Sequence, residues 1–261
     1  MINRILAWLT DSAHWQGDDG ILRRVVEHLE YSLGALVIAM LIAIPLGLYI
    51  GHTGRGRFVA VSAVGSARAI PSLGLLFLAV LWLGPRLSGD VAYLAPTGLV
   101  LVVLAIPPIL SGTYAGVEGV DPAARDAAKG MGMRGPQVLR NVELPCALPL
   151  ILSGIRSAML QVIATATIAA VVGLGGLGRF LIDGLAVRDT PQTASGAVLV
   201  AMLALLVDLV LALVQRSVVS RGLTGRYGKV NMTDDAADIS SDTGSSIAAS
   251  SAPKLQHTLQ S

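Results

Sequence analysis

The sequence predicts an all-α integral membrane protein in which five spanning helices follow a short N-terminal interfacial helix. Three observations predict it. Hydrophobic residues make up 53% of the 261 residues and charged ones only 14%, with a mean hydropathy of +0.68, too apolar for a soluble α/β domain. Several apolar stretches are long enough to cross a hydrocarbon layer of about 30 Å. Runs of alternating hydrophobicity are few, so helices, whose backbone hydrogen bonds close within one segment, are the expected spanning element.

The elements follow in order. Met1–Thr10 is too short for the apolar core of a cleavable signal and precedes the polar stretch Asp11–Gly20. It is expected to lie in the interface, with Trp8 and Trp15 in the headgroup zone, so residues 1–30 form an N-terminal interfacial or extracytoplasmic segment. Residues 31–222 hold the spans, expected at Tyr31–Gly51, Phe58–Gly84, Tyr93–Tyr114, Leu150–Val172 and Gly196–Arg216. Arg68-Ala-Ile-Pro71-Ser72 interrupts the second, which reads as one broken helix rather than two crossings. The pairs Gly47/Gly51 and Gly112/Gly116 allow close packing of helices, or of a second copy. Residues 223–261 are rich in Ser, Asp, Thr and Ala and read as a disordered cytoplasmic tail, inert or regulatory.

Loop charge sets the expected orientation. With the 121–149 loop inside, Arg55, Arg57, Arg125, Lys129, Arg134, Arg140 and the basic residues from Arg216 onward are all cytoplasmic. Arg4, Arg23, Arg24, Arg86, Arg179 and Arg188 are then outside, spread over more chain. The positive-inside rule thus predicts a multi-pass protein of the cell membrane with its N-terminus out and its C-terminus cytoplasmic.

Much chemistry is absent from the sequence. None of the three lysines completes a Gly-Lys-Ser/Thr phosphate loop: Lys129 and Lys254 do not follow glycine, and Gly228-Lys229 precedes Val230. Gly173-Leu-Gly175-Gly-Leu-Gly178 matches a dinucleotide fingerprint only formally, because it follows a membrane helix rather than a strand. It is expected to be a loop or re-entrant segment at the outer face. His14, His28, His52 and His257 have no metal or triad spacing, and Cys146 has no cysteine partner, so no catalytic residue, metal or bound cofactor is expected. A net charge of +2 does not suggest a nucleic-acid partner.

The most informative stretch is Asp121–Pro149. Asp121 is a good N-cap with Pro122 at the first helical position, and the Ala-rich run to Lys129 ends at Gly130 and Gly132. Gly135-Pro136 opens a second helix, expected to stop before Leu144-Pro145. A loop of this length and order between spans usually binds something.

Asp126-Ala127-Ala128, then Gly132, then Leu144-Pro145 twelve positions on, closely resembles the cytoplasmic "EAA" loop of type I ABC importer permeases, with Asp for the usual Glu. The resemblance implies a five-span permease core whose loop docks on a separate ATP-binding subunit, with Asp126, Ala127, Ala128, Gly132, Glu143, Leu144 and Pro145 as coupling residues. It also implies a pair of ATPase subunits carrying ATP-Mg, a second permease copy or paralogue, and an extracytoplasmic substrate-binding protein. His52-Thr-Gly-Arg-Gly56, Arg68-Ala-Ile-Pro-Ser-Leu73, Gly154-Ile-Arg-Ser-Ala158 and Val171–Gly178 look like the osmoprotectant branch, which imports glycine betaine, proline, choline or carnitine. The alternatives are an ABC permease for amino acids or another small solute and, from a different class, a channel or membrane enzyme.

Ionisable and polar groups inside spans are candidates for function. Arg156 and Asp208 fall at similar depth and are expected to pair, either bracing helices or gating. Arg68, with Pro71 and Ser72, either lines the pathway or snorkels from a helix end. Gln161 faces another helix, in a packing hydrogen bond, or the cavity. Quaternary ammonium ligands favour aromatic cages. The eleven aromatics, including Tyr31, Tyr49, Phe77, Trp82, Tyr93 and Tyr114, cluster near span ends like interface anchors, which moves high-affinity selection to the separate binding protein.

Overall fold

The computed structural model describes residues 1–58, 62, 64–65 and 70–219. All regular elements among them are helical. They are α1 (Ile2–Thr10), α2 (Ile21–Thr53), α3 (Ser72–Leu83), α4 (Val91–Glu118), α5 (Pro122–Gly130), α6 (Gly135–Val138), α7 (Leu144–Ala169), α8 (Gly178–Ala186) and α9 (Thr190–Val218). A π-helical turn, Leu139–Glu143, fuses α6 to α7, so the helical path is continuous over Gly135–Val172.

Among the described residues, four helical segments are long and apolar enough to cross a membrane: α2, α4, Gly135–Val172 and α9. Of the second expected span, Phe58–Gly84, the described helix is α3, whose twelve residues reach about 18 Å; residues 59–61, 63 and 66–69 lie outside the described residues. Helix α3 starts directly after Pro71, which holds an extended conformation (ψ 113°) at its N-cap. The tail, 223–261, lies outside the described residues, as does Arg68.

Two boundaries differ from the sequence expectation. The first spanning helix begins at Ile21 rather than Tyr31, since Arg23, Arg24 and Glu27 satisfy one another and their charge does not end the helix. The helix that opens at Gly135 does not stop before Leu144-Pro145. The wider π turn absorbs the proline: the Leu144 N–H reaches back to the Leu139 carbonyl, and Pro145, lacking an N–H, sits harmlessly in the first turn of α7.

The core is built around α4, which packs against α2 on one side and α7 on the other. In lipid no hydrophobic force drives helices together, so association depends on close fit. Small residues supply it. A Cβ placed on Gly47 would lie 2.6 Å from Thr113 Cβ, and one on Gly51 would lie 2.6 Å from Val117 Cβ. Gly112 and Gly154 face each other across α4 and α7, where an added Cβ would meet the Leu150 or Pro108 carbonyl oxygen at 2.6 Å. Ala39, Ala43, Ala105, Ala158 and Met159 are fully buried between these contacts. The glycine pairs read from the sequence therefore serve packing within one chain.

At the periphery, α1 lies against α9, and Trp8 stacks on His14 and meets Phe180 edge-on. Trp8 is thus partly a packing residue, whereas Trp15 is exposed. Helix α9 buries only Ser195, Gly196, Leu199 and Leu203 and presents Met202, Leu205, Leu206, Leu209 and Leu213 outward.

Replacing Gly112 by Val is expected to destabilise the fold by about 1–3 kcal/mol through overpacking against the α7 backbone. Gly34→Ala, where an added Cβ meets nothing within 4 Å, is expected to be neutral or slightly stabilising. Thermal unfolding in detergent of the two variants beside the parent checks the contrast.

Candidate functional site

The 121–149 segment folds as its local chemistry dictates. The Asp121 carboxylate accepts from the Ala123 N–H at 2.9 Å and caps α5, with Pro122 at the first helical position. After Gly130 the chain turns through Gly132, at φ +84°, a conformation that side-chain-bearing residues rarely adopt. The Met133 N–H bonds back to the Ala128 carbonyl at 3.2 Å and the Gly132 N–H to Lys129 at 2.9 Å, closing the end of α5. The Gln137 side chain accepts from the Arg134 N–H at 2.8 Å and starts α6.

The segment has two faces. Asp126, Ala127, Met131, Gly132, Arg134 and Arg140 are exposed, and the Asp126–Lys129 pair is a loose surface contact at 3.7 Å. Ala128, Val138 and Glu143 are buried against the rest of the protein. Of the expected coupling residues, Asp126, Ala127 and Gly132 lie on the outward surface, Ala128 and Glu143 inward, and Leu144 and Pro145 at the half-buried start of α7.

Glu143 is 2% exposed and stands at a junction. His52, in the last turn of α2, donates from Nδ1 to Glu143 Oε2 at 2.6 Å. Arg125 of α5 pairs through Nε with Glu143 Oε1 at 2.8 Å, and its Nη2 donates to the Val117 carbonyl near the end of α4. One carboxylate therefore ties together α2, α5, the π turn and, through Arg125, α4. His52 and Arg125 were not among the coupling residues expected from sequence, where they counted only as part of a family motif and as an inside charge. Glu143 lies 91 positions from His52, so no spacing signal exists; the one available hint was an acid immediately before a Leu-Pro that opens an apolar helix.

The Arg156–Asp208 pair forms as the sequence predicts, with two parallel hydrogen bonds from Nε and Nη2 to the two carboxylate oxygens. Two helical turns away, Gln215 Nε2 donates to the Pro149 carbonyl at 3.1 Å. Pairs 156/208 and 149/215 are each seven residues apart on antiparallel helices, so α9 is tied to α7 at two successive levels. Of the two placements expected for Gln161, the packing hydrogen bond to another helix does not form among the described residues: its side chain is exposed on α7, on the same stripe as Ser153 and Ser157. Ser72 begins α3, and the exposed Pro71 accepts the Leu75 N–H at 3.0 Å. Among the described residues no three His, Cys, Asp or Glu side chains converge as a metal site.

Residues 33–221 match the family described as binding-protein-dependent transport system inner membrane component. OpuCB of Bacillus subtilis, a glycine betaine/carnitine/choline transport system permease protein, is 36% identical over 205 residues, covering 78% of this chain and 91% of its own length. OsmW of Salmonella typhimurium, an osmoprotectant import permease protein, is 32% identical over 220 residues, covering 82% of this chain and 99% of its own. Among solved structures, the inward-facing MetNI methionine ABC transporter superposes with a TM-score of 0.66 at 23% identity, over 76% of this chain and 96% of that one, which shows a shared fold. The matched helices, the ordered segment between α4 and α7 and the relatives' near-complete coverage agree: the chain belongs to the family of binding-protein-dependent transport system inner membrane components.

Proposed function

We infer that this chain is the membrane-spanning permease subunit of an ATP-driven importer that moves a compatible solute, such as glycine betaine, choline or proline, delivered by a separate binding protein. The observation that carries this reading is the two-faced 121–149 segment: an exposed surface of Asp126, Ala127 and Gly132 backed by side chains that grip the ends of the spanning helices. The solute class rests on the curated relatives, which are permeases for glycine betaine, choline and carnitine. Reading the chain as an amino-acid permease rests only on a shared fold with methionine and amino-acid transporters at 20–23% identity.

The mechanism is mechanical rather than catalytic. No phosphate-binding loop occurs in the sequence, so ATP-Mg is held and hydrolysed by a pair of partner subunits. The exposed face of α5 docks on them: Ala127 allows close approach, Asp126 offers a charge, and Gly132 makes the turn. When the partners rotate, α5 moves, and Glu143 passes the movement to α2 through His52 and to α4 through Arg125. Because α6, the π turn and α7 are one continuous helical path, the same movement reaches the middle of the membrane without a hinge. The two ties between α7 and α9 favour bracing over gating for Arg156 and Asp208, which leaves the exposed Ser157 and Gln161 stripe to line the route or meet the second permease subunit. The 121–149 segment lies in the cytoplasm, with the C-terminus inside and the N-terminus outside.

Asp126→Arg and Gly132→Asp are expected to abolish co-purification of the ATPase and solute uptake while leaving the permease folded, as read by pull-down and circular dichroism. Glu143→Ala, which leaves Arg125 and His52 without their carboxylate, is expected to cost about 3 kcal/mol of stability. Glu143→Gln retains an acceptor for His52 and is expected to fold but to uncouple ATP hydrolysis from uptake. Labelled glycine betaine and choline are expected to accumulate in proteoliposomes holding the complete transporter, whereas labelled methionine is not. Uptake of methionine with none of betaine or choline would assign the chain to the amino-acid class.

A further inference from the structure

Helix α2 holds α7 at both ends. At the coupling end the tie is His52 to Glu143. At the opposite end the chain leaves α7 through Gly173–Gly178, and this loop folds onto the first turns of α2. The Gly176 N–H donates to Glu27 Oε2 at 2.9 Å. One residue on, His28 donates from Nε2 to the Ile163 carbonyl at 3.2 Å; a carbonyl only accepts, so this nitrogen carries the proton. Two adjacent residues of α2 thus fasten the last turns of α7 and the loop that follows it.

The loop is shaped to accept this grip. Gly176 stands at φ +84°, and a Cβ on it would lie 3.0 Å from His28 Nδ1. A Cβ on Gly175 would lie 2.6 Å from Glu27 Oε2. Only bare backbone lets the carboxylate reach an amide N–H here. Leu174 and Leu177 flank the pair and are buried in different apolar clusters, the first with α2, α4 and α7, the second with Ile21, α8 and α9. The seat of Gly175–Gly176 on α2 therefore bears on both clusters at once.

The charge of Glu27 is held differently from that of Glu143. Arg24 donates from Nη1 to Oε2 at 2.9 Å, and Arg23 Nε lies 3.4 Å from Oε1. Arg24 also pairs with Asp19, and Arg23 is exposed. Truncating Glu27 therefore strands no buried charge, whereas truncating Glu143 does. What Glu27 alone supplies is the acceptor for the Gly176 N–H.

We propose that Glu27 is the far anchor of the coupling path, a positioning residue through which movement of the 121–149 segment sets the seat of the glycine loop. From Gly135 to Val172 the helical path runs for 38 residues, about 57 Å. If α2 held this path at the Glu143 end alone, sliding of the apolar contacts along it would absorb a displacement. Held at both ends by one helix, α2 and α7 move as a pair, and the displacement arrives at Gly176. The inference rests on the importer reading, under which this far end faces the arriving solute.

The test uses the complete transporter, with its ATPase and binding protein, in nanodiscs and proteoliposomes. Amide hydrogen exchange of peptides covering Gly173–Gly178 is compared between the resting complex and one arrested with ATP and vanadate. In wild type the two states are expected to differ about fivefold, the scale of one hydrogen bond made or lost. In Glu27→Ala exchange is expected to be fast in both states, with the ATPase still co-purifying. Solute imported per ATP hydrolysed is expected to fall about fivefold, read with whichever of labelled glycine betaine, choline or methionine the wild type accumulates. Glu27→Gln keeps an acceptor for the Gly176 N–H and is expected to restore both readouts. A residue that serves stability alone lowers the thermal midpoint and leaves the solute-to-ATP ratio unchanged, so a wild-type ratio in Glu27→Ala overturns the proposal. Equal loss in Glu27→Gln and Glu27→Ala overturns it too. So does wild-type loop exchange that is the same in both states, a comparison that needs no variant to fold. State-independent exchange in a complex that imports solute removes only the anchor, whereas a complex that imports none of the three removes the importer reading and the anchor with it.

Discussion

Close backbone approach along α4 is the constraint on which the rest of the structure depends. A membrane helix gains nothing from exchanging lipid contacts for equally apolar protein contacts, so its neighbours must fit well enough for dispersion to decide. Gly112 against Gly154, Gly116 against Ala147, and Gly47 and Gly51 against Thr113 and Val117 bring three helices to within a methyl group of collision. Bulk at these positions would open the bundle and separate the helix ends that carry the polar sites. The prolines of α4, Pro96, Pro107 and Pro108, interrupt its hydrogen-bond ladder without ending it, and Pro96 and Pro107 are buried among the packed neighbours.

Packing of this kind gives a rigid body, and a rigid body transmits movement only if it is gripped at its end. In the proposed mechanism Glu143 supplies the grip. A carboxylate buried to 2% exposure is costly unless it is paired, and here both oxygens are engaged by cationic or donor groups from different helices. The arrangement confines the charge of the segment to two places. The outward face carries small and charged residues suited to a transient protein contact, and the inward face carries one buried ionic junction. The π turn beside it accommodates Pro145 without a break, so α6 and α7 form one continuous helical path.

Much of this was legible in the sequence, for identifiable reasons. Spanning helices are visible because their signal is cumulative over some twenty apolar residues and does not depend on partners. The Asp121 cap, the turn at Gly132 and the Asp126-Ala127-Ala128 spacing are local, so they survive reading one residue after another. Arg156 and Asp208 were found because charge in an apolar span demands a partner, and only one lay at matching depth. Gln161 went the other way, since an uncharged amide tolerates exposure on a helix face and its partner is not forced.

The sequence by itself determined the class of the protein, the order of its apolar segments, the capping and turning of the 121–149 loop, and the absence of a phosphate-binding loop. These are properties of composition and short-range spacing. The tertiary structure decided which residues meet: that Glu143 turns inward to His52 and Arg125, that α9 is tied twice to α7, and that Glu27 holds the glycine loop beyond the far end of α7. Contacts between positions tens of residues apart are fixed by how helices cross. Crossing is fixed by small residues whose depth and facing are undefined until the helices are packed.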